Sequence, residues 1–62
     1  MMKPRTDDIW EHKKNGSRVI VRKLWTLNKE MDMVEVFDTR EKSWYNMTVN
    51  GFVFLYNFID ND

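Results

Sequence analysis

Ser43-Trp44-Tyr45-Asn46-Met47-Thr48-Val49-Asn50-Gly51-Phe52-Val53-Phe54-Leu55-Tyr56-Asn57-Phe58 is the stretch on whose reading the fold turns. Apolar and aromatic residues alternate on both sides of Asn50-Gly51. Asn-Gly between such runs is the strongest short-range hairpin signal, because both central positions of a type I′ turn need positive φ. Folding the chain there sets Val49 against Phe52, Met47 against Phe54, Tyr45 against Tyr56 and Ser43 against Phe58. Successive strand side chains point to opposite faces, so one face of this hairpin is apolar almost throughout. The other carries Trp44, Asn46, Thr48, Val53, Leu55 and Asn57. A helix over 52–59 competes, with Phe52, Leu55, Tyr56 and Ile59 at helical spacing; aromatic and β-branched enrichment favours strands.

Working outward, residues 17–27 and 31–38 close through a three-residue loop at 28–30. This sets Leu27 against Met31, Trp25 against Met33, Lys23 against Glu35 and Val21 against Phe37. The one charged rung is Lys-Glu, which is favourable cross-strand chemistry. An earlier Asn-Gly, at Asn15-Gly16, pairs Trp10 with Val21, His12 with Val19 and Asp8 with Lys23 in the same way. A short helix over 6–14 is the alternative there. Thr6 would cap it, Asp7 and Asp8 suit its positive end, and Lys13, Lys14 and Gly16 suit its exit; only Ile9 and Trp10 would give it anything to bury. A charged turn over 38–42 leads into Ser43. The expectation is an all-β domain, a five-stranded antiparallel meander over 8–13, 17–27, 31–38, 43–49 and 52–58. So short a sheet with so many aromatics should curl into a small open barrel. The alternative is α+β with a short terminal helix. Residues 1–62 read as one domain, with 1–7 a loose N-terminus around Pro4.

Composition bounds the chemistry. A chain of 62 residues buries only about 60% of the surface its unfolded form exposes, and small domains usually add disulfides, a metal or a partner. There is no cysteine and His12 is the only histidine, which excludes disulfides and thiolate metal sites and most zinc geometries. No metal or cofactor is expected. Three Trp, four Phe, two Tyr and five Met supply bulky apolar packing instead. No run of about 20 apolar residues is present to span a membrane, and MMKPRTDD lacks the features of a secretory signal; a cytoplasmic location is the expectation. Formal net charge is zero, but residues 1–29 carry +5 and residues 30–62 carry −5. In a small domain these halves meet, and internal pairing is the expected result.

The pattern Asp8-Ile9-Trp10-Glu11-His12, a Gly-containing turn, Arg18-Val19-Ile20-Val21, Val34-Glu35-Val36, Trp44 and a closing Phe-rich segment resembles a set of small domains of unknown function. These occur in bacteria and especially in bacteriophages, and have the Src-homology-3-like barrel. The resemblance covers residues 8–58 through structural positions. It implies a barrel and a phage origin, and carries no assigned chemistry and no catalytic residue.

Candidate chemistry is sparse. Ser17 or Ser43 beside His12 would be the start of a nucleophilic site, but one histidine in so small a chain gives little to build on. Asp7-Asp8 would point to opposite sides of a strand and should form a solvated edge. The two glycines lie 35 residues apart, with no phosphate-binding loop. The chain is expected not to be an enzyme. Lys13, Lys14, Arg18 and Arg22, with Trp10 and Trp25 nearby, are the ingredients of a weak nucleic-acid-binding strip with stacking platforms; overall neutrality weighs against it. The remaining feature is the apolar surplus. Residues 52–58 contain no charge, with Asp60 and Asp62 beyond them as gatekeepers. On the hairpin reading Trp44, Val53 and Leu55 cluster on the outer side as a candidate protein contact, self-association into a homodimer being the simplest version. The resulting expectation is a non-catalytic protein-binding module. With the resemblance, it becomes a bacteriophage accessory protein that binds or inhibits a host protein in the host cytoplasm.

Overall fold

The computed structural model describes residues 2–61. Five strands and one helix follow in the order β1 (Asp8–His12), β2 (Arg18–Leu27), β3 (Met31–Asp38), β4 (Ser43–Thr48), α1 (Val49–Leu55) and β5 (Tyr56–Asn61). The strands form a single open antiparallel sheet of order β4-β3-β2-β1-β5. Period-two alternation builds its inner face. Val19 and Val21 on β2, Val34 and Val36 on β3 and Trp10 on β1 enclose one core with Phe52 of α1 and Tyr56 of β5. Met47, Val49, Val53 and Phe58 pack around them.

The final hairpin does not form. Residues 49–55 are helical and β5 crosses to pair with β1, so β4 and β5 are the two edges of the sheet. Thr48 is extended and its Oγ1 accepts the Gly51 N–H at 3.0 Å, the bond of a helix N-cap. Val49, Phe52, Val53 and Tyr56 are spaced i, i+3, i+4, i+7, and all four turn toward the core. The Phe52 and Tyr56 rings stack at 4.7 Å, and Phe52 lies 4.9 Å from Trp10. A strand here would place four aromatic rings on one face of so small a sheet. About two turns of helix bury Phe52 completely and leave Phe54 and Leu55 outside.

Neither Asn-Gly forms a two-residue type I′ corner, although the first does lie in the loop of the expected β1–β2 hairpin. At the first, the loop runs from Lys13 to Gly16, closed by His12 N–H to Ser17 O (2.7 Å) and Gly16 N–H to His12 O (3.0 Å). Gly16 alone takes a positive φ, 74°. The longer loop places Trp10 opposite Val19 and Glu11 opposite Arg18, two residues from the expected register. Because the slip is even, the paired residues Ile9–Glu11 and Arg18–Ile20 keep their expected faces. The helix considered over 6–14 is absent, and β1 is a strand. The paired left-handed residues typical of a type I′ turn occur at Asn28 (φ 53°) and Lys29 (φ 61°), where Glu30 N–H donates to Leu27 O.

Two N-terminal expectations also change. Pro4 is buried, and Asp7 N–H donates to Val21 O at 2.8 Å, so the segment before β1 is tied down. Asp8 is not a solvated edge residue; it is fully buried. Its Oδ2 accepts from Arg5 N–H (2.7 Å) and Trp10 Nε1 (3.2 Å), and its Oδ1 accepts from the Asn61 side-chain amide. A buried carboxylate needs such partners. These join the N-terminal segment, the core tryptophan and the end of β5. Asp62 lies outside the described residues.

Candidate interaction surface

The outer face of the sheet is determined by register. Ile9 lies opposite Ile20, Ile20 opposite Phe37 and Phe37 opposite Trp44. Directly opposed residues share a face, so four apolar side chains cross β1, β2, β3 and β4 in one row. Strand spacing makes that row about 14 Å long. The Phe37 and Trp44 rings are 4.8 Å apart and tilted by 53°. Trp44 is 57% exposed, and the other three are half-buried by their neighbours.

Charged pairs of both signs border the row. Glu11 and Arg18 meet at 3.3 Å, Asp7 and Arg22 at 3.5 Å, and Lys23 stands opposite Glu35. Asp7, Ile9, Ile20 and Arg22 line a shallow depression. An apolar centre with a mixed polar rim is the anatomy of a protein–protein contact.

A bulge creates this surface. Between β2 and β3 the expected pairs Leu27–Met31, Trp25–Met33 and Lys23–Glu35 all form, and then Arg22 is extra. From there Val21 opposes Val36 and Ile20 opposes Phe37. One inserted residue moves side chains to the opposite face, so Phe37 lies outside beside Ile20 and not inside beside Val21. Asp7 secures the bulge, its backbone N–H on Val21 O and its carboxylate on Arg22.

The candidate contact residues do not converge as expected. Trp44 belongs to the outer row. Val53 packs against the core from α1, and Leu55 ends α1, 40% exposed, where its carbonyl accepts the Lys13 N–H just after β1, on the side of the sheet away from β4 and Trp44. The β4–β5 pairing that would have joined the three is absent. Ile9, Ile20 and Phe37 take their place beside Trp44.

The basic residues are largely engaged within the fold. Lys13 Nζ donates to Phe54 O (2.8 Å) and Val53 O (3.4 Å) and sits 5.9 Å from the Phe54 ring centroid. It thus serves the carbonyl end of α1, where a cation is favourable. Arg18 and Arg22 hold Glu11 and Asp7, while Lys14 is exposed at the loop. Trp10 is buried in the core, 3% exposed, and cannot serve as a stacking platform; Trp25 is half-buried.

His12 packs edge-on to Tyr56 at 4.9 Å, and its Nδ1 accepts the Lys14 N–H at 3.1 Å. Ser43 Oγ donates to Glu41 O, and Ser17 meets His12 through backbone atoms. No cluster of three His, Cys, Asp or Glu side chains that could hold a metal occurs among the described residues. The Tyr56 phenol is pushed above its ordinary value, first by burial and then by the nearby charge of Asp38 and by Tyr45. No helix among the described residues is long and apolar enough to cross a membrane.

No family model, curated protein or solved structure matches the chain. The functional reading therefore stands on the outer row and its rim.

Proposed function

We propose that this domain is a non-catalytic protein-binding module that uses the outer row Ile9–Ile20–Phe37–Trp44 as its contact. The observation that carries this reading is the exposure of Trp44 at the end of a continuous apolar row across four strands. Tryptophan and other aromatics dominate binding energy when a partner covers them. The neighbouring ion pairs supply a rim that excludes water and sets register without adding much affinity. The partner fitting this surface is a protein with an apolar ridge and polar flanks of both charges. The resemblance to bacterial and phage domains makes a host protein the class we propose, with the domain as an accessory protein acting on it.

The test is affinity capture from host lysate with the wild-type chain and with Trp44→Ala and Phe37→Thr, each first shown to fold. A captured protein that survives raised salt and is lost with both variants supports the module. A partner that ignores both substitutions would refute the assignment to this face. So would retention only of single-stranded nucleic acid, with affinity that collapses as salt rises and depends on Arg18 and Arg22.

A further inference from the structure

The two edges of the sheet are guarded differently. On β5, Asp60 opposes Ile9 and Phe58 opposes Trp10, so Ile59 is an unpaired bulge residue, and the strand carries the charge of Asp60. On β4, Ser43–Thr48, pairing with β3 runs without a register shift, and the strand has no charged residue and no proline. Trp44, Tyr45 and Asn46 are exposed along it, and no strand lies on its other side among the described residues. Bulges, charges and prolines are the devices that keep sheet edges from joining. β5 has two of them and β4 has none.

We infer that β4 is a self-pairing edge: two copies of this chain join β4 to β4, antiparallel, into one continuous sheet. A second copy is the occupant that the strand's chemistry selects. An uncharged strand paired with itself places no like charges opposite one another, and a two-fold axis makes the contact closed and self-complementary. With the axis perpendicular to the sheet, the outer faces of both copies lie on the same side. Trp44 of each then approaches the junction. A six-residue strand offers about 20 Å of edge, which puts the contact at the small end of specific interfaces, below about 1,200 Å². The dimer is therefore concentration-dependent and not obligate. This inference does not require the partner reading above; a chain can self-pair and bind nothing else.

Sedimentation velocity from micromolar to millimolar protein tests it, alongside Asn46→Lys. Asn46 stands opposite Glu35, so the new cation gains an opposite charge within its own sheet while adding like charges across the edge. The expected result is a wild-type dimer at high concentration and a folded variant whose dimer is weaker by about tenfold or more. Amide exchange on the wild-type chain gives a second, variant-free reading: protection of β4 amides should rise with concentration while that of β5 stays constant. A chain that remains monomeric throughout would overturn the inference. So would a dimer that Asn46→Lys leaves intact, or one whose added protection falls on β5.

Discussion

On the inner face of the sheet Val19, Val21, Val34 and Val36 are closed over by Trp10 and Phe52, none more than 3% exposed. On the outer face β1 to β4 present Ile9, Ile20, Phe37 and Trp44 in a single row. Both faces are apolar; the difference is that only one has a lid. α1 covers the inner face with Phe52, Val49 and Val53, whereas no helix among the described residues lies over the outer one. Inner residues should therefore govern whether the chain folds, and outer residues what it touches.

The largest expected effect lies at the centre of the lid. Phe52 is fully buried and meets both the Trp10 and Tyr56 rings, so Phe52→Ala should cost about 3–5 kcal/mol. That is enough to leave so small a domain largely unfolded. Trp44→Ala should cost less than about 1 kcal/mol, since the ring is mostly exposed and most surface changes are small. Urea denaturation followed by far-UV circular dichroism compares the two. Equal losses would erase the distinction between the faces.

A second effect tests the polar element within the inner face. Asp8→Ala would leave the Trp10 indole N–H and the Arg5 N–H without their acceptor, and the Asn61 amide with only the longer bond to Thr6 O at 3.4 Å. Unpaired buried donors make a loss of about 2–3 kcal/mol the expected result. Because Asp8 also holds the end of β5, exchange at Asn61 should accelerate more than exchange in β3. A uniform rise across the sheet would mean that the carboxylate fills space without tying the strand.

Much of this architecture was legible in the sequence, and what was not has physical causes. The positions of β1 to β4 and the outer β2–β3 rungs followed from alternation and cross-strand chemistry, while the last strand, expected over 52–58, lies at Tyr56–Asn61. Arg22 gave no sign that it would bulge, because a bulge depends on what anchors it, here the Asp7 backbone and carboxylate brought from the N-terminal segment. That single residue decides whether Phe37 is core or surface, so Trp44 was visible as an exposed aromatic while its neighbours in the row were not. The helix did leave a mark: a capping Thr48 followed by Val49, Phe52, Val53 and Tyr56 at helical spacing. Asn50-Gly51 masked it, since the same dipeptide that makes a hairpin corner can sit in the first turn of a capped helix. Asp8 reads as polar and therefore exposed; its local partners Arg5 and Trp10 and the distant Asn61 together allow it to be buried.

Tyr56 gives a pH-dependent signature of the lidded face. Burial, with Asp38 and Tyr45 secondary, raises the phenol above its ordinary value, so the folded chain holds this proton more tightly than the unfolded chain. Stability from this group is intact below about pH 10, the unfolded phenol value. Above it the unfolded state binds fewer protons, and stability falls as pH rises toward the folded value. Denaturation from pH 9 to pH 11 should show a steeper alkaline loss in the wild-type chain than in Tyr56→Phe. Parallel curves would mean that the hydroxyl is as well solvated folded as unfolded.

The smallest effect lies on neither face and serves as their control. Lys29 holds a left-handed φ of 61° at the β2–β3 corner, a conformation that costs a residue with a Cβ about 1–2 kcal/mol. Glycine removes that cost but loses about 0.5–1 kcal/mol through its freer unfolded chain. Lys29→Gly should therefore stabilise the fold by a few tenths to about 1 kcal/mol. It also places Asn-Gly at the one corner where two consecutive residues are left-handed. Since Lys29 touches neither the outer row nor β4, partner capture and self-pairing should be unchanged while the melting temperature rises. A gain in stability that also altered binding would show that the corner is coupled to the row. A loss of stability would mean that the lysine side chain makes a contribution larger than its backbone strain.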